Sequence, residues 1–232
     1  MREIRRLAIV NRGEPAIRAL TAVGELNRAG DDPPITTVVL YTEPDAGAWF
    51  VREADEAVLL GPATFVDPSD GMRKSRYLDE PAVLDALVRA RVDAVWVGWG
   101  FLAEQASFAQ RCEEAGIVFV GPDSATIRLL GDKVSAKRVA ERAGVPVVPW
   151  SGQPVHDVAQ ATVHAARLGY SLVLKASAGG GGRGIRVVHA EADLAAAFAA
   201  AHSEAGAAFG DPTVFLERLV PAARHGDRKS VV

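Results

Sequence analysis

Short, uninterrupted apolar runs alternate with stretches of helical periodicity over the first half of the chain. Leu7-Ala8-Ile9-Val10 reads as a buried strand and Asn11-Arg12-Gly13 as a turn. Glu14-Pro15 opens a helix, with proline near the first helical position and a carboxylate at the positive end of the helix dipole. Ile17, Leu20, Val23 and Leu26 then recur at helical spacing up to Gly30. Further apolar runs at 38–41, 57–60, 92–97 and 117–120 predict four more strands, the last ended by Gly121-Pro122. Helices are predicted over 81–90 and 102–115. Strands apolar throughout, with helices between them, predict a parallel sheet covered on both faces.

The pattern changes after residue 122. Residues 123–143 read as two helices broken at Gly131, and the proline-rich 145–149 as a linker or an edge strand. A helix (155–168), a strand (171–176), a glycine run, a strand (185–189), an alanine-rich helix (191–208) and a strand (213–219) follow. Strand, glycine loop, strand is a hairpin, so this part is expected to be antiparallel. The fold class read here is α/β: a Rossmann-like parallel-sheet domain (1–122), a helical connector (123–150) and a small α+β unit (151–221), then a tail (222–232).

Composition narrows the classes of function. The 232 residues exceed one ordinary domain of about 150. Lys plus Arg is 26 against 29 for Asp plus Glu, so the net charge of -3 excludes the basic footprint of a dedicated nucleic-acid binder. The longest uncharged apolar run, 94–103, is about half of the ~20 residues a membrane span needs. The N-terminal apolar run is too short for a signal peptide. The single cysteine, Cys112, permits no internal disulfide and reads as a packed side chain on a helix. A soluble cytoplasmic protein without nucleic-acid or membrane partners is expected.

Three stretches carry candidate chemistry. The first runs from Lys175 through Gly179, Gly180, Gly181, Gly182, Arg183 and Gly184. Glycines this dense let backbone N–H groups approach an anion closely, and the lysine and arginine add charge. No Gly-Lys-Ser/Thr ends the loop and no helix follows it directly, so it is neither a Walker A loop nor a dinucleotide fingerprint. The second is Asp132-Lys133, where Asp132 can cap a helix that Lys133 begins. A lysine at a helix start opposes the dipole, which hints at an anion there. The third is the strand at 214–220, whose one acid is Glu217 and whose open backbone groups could meet a flat base. His156, His164, His189 and His202 lack metal-ligand spacing, so no metal site is read. Asn11-Arg12-Gly13-Glu14 is equally a strand-to-helix turn with a positive-φ glycine.

These stretches together resemble the biotin carboxylase component of biotin-dependent acyl-CoA carboxylases, an ATP-grasp family. The resemblance runs through the segments 9–14, 54–57, 98–104, 119–122, 131–137, 143–146 and 175–184. It implies that ATP and bicarbonate form carboxyphosphate, whose carbon dioxide passes to biotin on a carrier domain. Lys133 and Lys175 then look like nucleotide and phosphate contacts, and Gly179 to Gly184 like a loop closing over phosphates. Glu217, Arg218, Leu219 and Val220 look like the strand that holds adenine and ribose, and His225 like a further nucleotide-site residue. The implied partners are a biotin carboxyl carrier domain and a carboxyltransferase, in the same or another chain, within a homo-oligomer. Mg²⁺ ligands and catalytic residues are expected in a C-terminal domain that this chain lacks, so it is expected to bind nucleotide without completing the reaction.

Trp96-Val97-Gly98-Trp99-Gly100-Phe101 and Pro149-Trp150-Ser151-Gly152 look like the large fused acetyl-CoA carboxylases, which implies a role in fatty acid biosynthesis. Residues 226–232 depart from the family, and 227–232 resemble a translated sequencing adapter, so they are expected to be non-native. Two alternatives stay open: another ATP-grasp carboxylate-amine ligase, and a non-enzymatic nucleotide-binding or dimerising module.

Overall fold

A computed structural model describes residues 3–30, 33–178 and 184–222. The chain folds as two compact units, Met1–Arg128 and Leu129–Val232.

The first unit is built on β1 (Arg6–Ile9), α1 (Gly13–Ala29), β2 (Thr36–Thr42), α2 (Trp49–Glu53) and β3 (Glu56–Gly61). A small antiparallel hairpin, β4 (Thr64–Val66) and β5 (Arg73–Ser75), leads to α3 (Glu80–Arg89), β6 (Ala94–Trp96), α4 (Ala106–Glu114) and β7 (Val118–Phe119). β1, β2, β3, β6 and β7 form one sheet in the order β3-β2-β1-β6-β7, with every pairing parallel. Counting those strands alone, the order is 3-2-1-4-5, a doubly wound arrangement whose switch point lies between β1 and β6.

Side-chain alternation explains why both faces are covered. Ala8, Val38 and Leu40 join Val83, Leu87, Phe108 and Cys112 in one core, under α3 and α4. Ile9 and Val39 join Ala16 and Phe50 in the other, under α1 and α2. The expected parallel sheet is therefore present. Cys112 is fully buried, and burial pushes its thiol up to about 12.

Polar groups at the strand ends are tied down. Asn11 is 2% exposed and its Nδ2 donates to the carbonyls of Val97 (2.8 Å) and Trp99 (3.0 Å). Gly13 stands at φ +62°, so the turn reading of this segment is the one observed. Arg12 grips the buried Asp45 through Nε (3.1 Å) and Nη2 (2.6 Å), and Thr42 Oγ1 donates to the same carboxylate (2.9 Å). The arginine holds the Asp45 carboxyl below the usual range, against burial.

α5 (Ser124–Gly131) spans the boundary, and the second unit continues with α6 (Lys133–Arg142), α7 (Val158–Leu168), β8 (Leu172–Ala176), β9 (Ile185–Val188), α8 (Glu191–Phe209) and β10 (Val214–Arg218). The last three strands form an antiparallel sheet in the order β10-β8-β9, as the glycine hairpin predicts. Leu172, Leu174, Val188, Val214 and Leu216 face Ala161, Ala165, Leu194 and Phe198 of α7 and α8.

Some elements differ from the sequence pattern. The predicted helix over 102–115 starts only at Ala106, after a turn in which Phe101 has φ +43°. The stretch 145–149 forms no strand of its own. α2 and the β4–β5 hairpin have no counterpart among the predicted elements.

Candidate functional site

β8 is the middle strand of its sheet, so alternation decides what each face offers. Leu172, Leu174 and Ala176 enter the helix-covered core, which turns Val173 and Lys175 to the opposite face. The register sets Lys175 beside Phe215 and Ile185, and Val173 beside Glu217 and Val187. That face combines an exposed apolar edge with a buried charge: Ile185 and Val187 are 40% and 46% exposed, and Glu217 only 6%.

Glu217 is held by two cations. Lys137 Nζ lies 2.5 Å from Oε1, and Lys175 Nζ pairs with Oε2. Burial pushes the Glu217 carboxyl up, and the two lysines outweigh it, so the group sits below its ordinary range. Trp150 closes this side. Its ring meets Phe215 edge-on at 5.9 Å, its Nε1 donates to Glu141 Oε1 (2.7 Å), and Lys137 Nζ stands 5.7 Å from the ring centre.

The start of α6 joins the same place. Asp132 caps the helix by accepting from Ser135 N–H (2.7 Å), and Ser177 Oγ donates to its other oxygen. Burial raises the Asp132 carboxyl, and these hydrogen bonds reverse the shift to a net lowering. Lys133 N–H donates to the Ser177 carbonyl (3.2 Å), and its Nζ reaches the carbonyls of Ser177 (3.4 Å) and Ala178 (3.3 Å). The glycine loop leaves β8 at this point. Gly184 closes it at φ +67°, its carbonyl accepting from Ala176 N–H (2.9 Å).

Of the residues read from sequence, Lys175 and Glu217 pair on one sheet face, Lys133 reaches the Ser177 and Ala178 carbonyls just past the end of β8, and Gly184 closes the turn there. Gly179, Gly180, Gly181, Gly182, Arg183 and His225 lie outside the described residues. Arg218 turns away: its Nε (3.1 Å) and Nη2 (2.6 Å) both donate to the Leu168 carbonyl at the end of α7. Leu219 N–H donates to the Ser171 carbonyl (3.0 Å), and Val220 is 48% exposed.

One expectation is corrected. The backbone of β10 is not an open edge. Residues 149–155 lie along it, with Arg218 N–H donating to Pro149 (2.9 Å), Ser151 N–H to Leu216 (2.9 Å) and Val155 N–H to Val214 (2.8 Å). Pro149 takes part through its carbonyl alone, so its missing N–H leaves none of these bonds unmade.

Sequence reasoning passes over Lys137 and Trp150 as site residues. The available signal is the i,i+4 spacing of Lys133 and Lys137, which puts both on one face of α6.

The arrangement suits a nucleotide: exposed apolar side chains for a flat base, and lysines beside a glycine-rich turn for phosphates. Among the described residues no three His, Cys, Asp or Glu side chains converge as a metal site. No helix among them is long and apolar enough to cross a membrane.

A family model described as biotin carboxylase, N-terminal domain, matches residues 3–127. Another, described as the ATP binding domain of the carbamoyl-phosphate synthase L chain, matches residues 132–230. The chain is 43% identical over 223 residues to the biotin carboxylase of Allochromatium vinosum, covering 96% of this chain and 46% of that protein. It is 42% identical over 222 residues to the pyruvate carboxylase of Bacillus subtilis, covering 96% of this chain and 18% of that one. The crystal structure of a biotin carboxylase–β,γ-ATP complex from Campylobacter jejuni superposes with a TM-score of 0.82 at 38% identity, covering 94% of this chain and 46% of that one. The chain thus spans about half the length of the biotin carboxylases it matches, and less of the pyruvate carboxylase.

Proposed function

The chain belongs to the biotin carboxylase family, and on that footing we propose that it is the nucleotide-binding portion of a biotin-dependent carboxylase. The complete reaction is the ATP-dependent carboxylation of carrier-bound biotin by bicarbonate, through carboxyphosphate. A biotin carboxyl carrier domain and a carboxyltransferase are its partners, within a cytoplasmic homo-oligomer.

The observation that carries this reading is the Lys175–Glu217 pair on one sheet face, with Lys133 reaching the carbonyls of Ser177 and Ala178 where the glycine loop begins. Phosphoryl transfer depends chiefly on positioning and on neutralising charge. Lys175, at the end of β8, supplies a mobile cation for the phosphates, and Lys133 a second at the start of α6. Gly179 to Gly184 are assigned to phosphate binding on the resemblance alone, since 179–183 lie outside the described residues. The adenine and ribose lie along Ile185, Val187 and Glu217 and reach Leu219 and Val220, and His225, outside the described residues, is assigned to the nucleotide site on the resemblance alone. Residues other than those gathered here would hold a magnesium ion, which would supply charge neutralisation at the phosphates.

Among acceptors, acetyl-CoA is the one that the segments 96–101 and 149–152 support by resemblance. The match of residues 3–127 favours this family over a carboxylate-amine ligase.

The test is the ATP affinity of the chain by isothermal titration calorimetry, wild type against Lys175→Ala. Loss of a charge-assisted phosphate contact weakens binding about tenfold or more. Equal affinities would overturn the assignment.

A further inference from the structure

Glu217 has two cationic partners, and they are not equivalent. Lys137 is the enclosed one: its side chain is 16% exposed and Trp150 stands over it, itself packed on Phe215. Lys175 is the accessible one, 33% exposed, at the end of the strand from which the glycine loop departs. Each takes a different oxygen of the carboxylate, so either can leave without displacing the other.

The Glu217 side chain is 8% exposed. A buried carboxylate stripped of every cation is strongly unfavourable, whereas one that keeps a single well-placed ammonium is tolerated. With Glu217 alone for a partner, Lys175 would be held where it is. With Lys137 also present, the carboxylate stays compensated when Lys175 moves.

We propose that Lys137 is a positioning residue for nucleotide binding: it remains on Glu217 as a fixed counter-ion and so frees Lys175 to meet the phosphates. This rests on the reading of Lys175 as a phosphate contact. Lys137 itself touches no phosphate, so its effect reaches the nucleotide only through Lys175, and only where the ligand carries phosphates.

The experiment is a mutant cycle on the 232-residue chain, with ATP and adenosine affinities measured by calorimetry. Lys137→Met is expected to weaken ATP binding about tenfold or more, since it leaves Lys175 as the sole partner of a buried charge. Adenosine binding stays as in the wild type, and Lys137→Arg, which keeps the ion pair, restores ATP binding. In a Glu217→Gln background no carboxylate needs a counter-ion, so adding Lys137→Met changes ATP affinity no further.

Equal losses for ATP and adenosine would show a merely structural role and overturn the proposal. So would the same loss in both backgrounds, or no loss at all. Should Lys137→Met not fold, as judged by circular dichroism, the comparison of Glu217→Gln with Glu217→Gln/Lys137→Met decides alone. There, matching ATP affinities support the proposal and a further loss sinks it. Lys175→Ala separates the two readings. If it binds ATP like the wild type, the phosphate assignment of Lys175 has failed. If it loses affinity while Lys137→Met does not, that assignment stands and the role of Lys137 falls.

Discussion

Asn11 occupies a place where a single amide does the work of a strand extension. It bridges two carbonyls beyond the end of β6, both part of the chain's turn away from the sheet. Asn11→Ala leaves those carbonyls without the donor, and about 2 kcal/mol of stability is expected to be lost, read as a lower urea midpoint. Asp45 makes a prediction in pH. Arg12 and Thr42 hold its carboxyl below the ordinary range in the folded state. The unfolded chain therefore binds the proton first as pH falls. The stabilisation is complete above about pH 5 and disappears as pH drops through the lowered native value. Urea midpoints measured from pH 6 down to 3 should fall less steeply in Asp45→Asn than in the wild type, because that variant has no carboxyl to titrate. Neither residue's role is visible in the sequence beyond its type. Asn11 reads as part of a turn, which it is, but the two carbonyls it serves lie far along the chain.

At the scale of elements, strands with continuous apolar runs are legible because burial on both faces removes the polar alternation that would blur them. β4 and β5 are not: β5 is Arg-Lys-Ser, with no apolar side chain to mark it. Their only signal is the turn chemistry of Asp67-Pro68-Ser69-Asp70-Gly71 between them. The hairpin of β8 and β9 is legible from its glycines, and the structure adds why the last of them matters. At Gly184, φ is +67° and an added Cβ would stand 2.7 Å from the Ala176 Cβ. Gly184→Val should therefore cost about 1–3 kcal/mol and loosen the pairing at the mouth of the loop. Faster amide exchange at Ala176, whose N–H donates to the Gly184 carbonyl, is the measurement that checks it. The ion pairs of Glu217 are beyond sequence reasoning for a different reason. They form because α6 and β10, distant along the chain, are packed together by Trp150, Val134 and Phe215.

At the scale of the whole molecule, each unit carries buried clusters of its own among the described residues. Those of the first lie on the two faces of the parallel sheet, and those of the second between the antiparallel sheet and α7 and α8 and around Val134, Trp150 and Phe215. Residues 1–128 hold a full set of buried side chains of their own. Expressed alone they are expected to melt in a single cooperative transition by circular dichroism, and a broad, non-cooperative melt would contradict this. The position of the one cysteine adds a consequence for measurement. Cys112 is sealed in the core of that unit with its thiol pushed up to about 12. A thiol reacts as the thiolate, so a disulfide reagent in neutral buffer must wait for the protein to open. The chain therefore carries a built-in chemical clock. Its labelling rate reports the opening of residues 1–128 and is silent on the nucleotide-binding half, with no probe to be engineered.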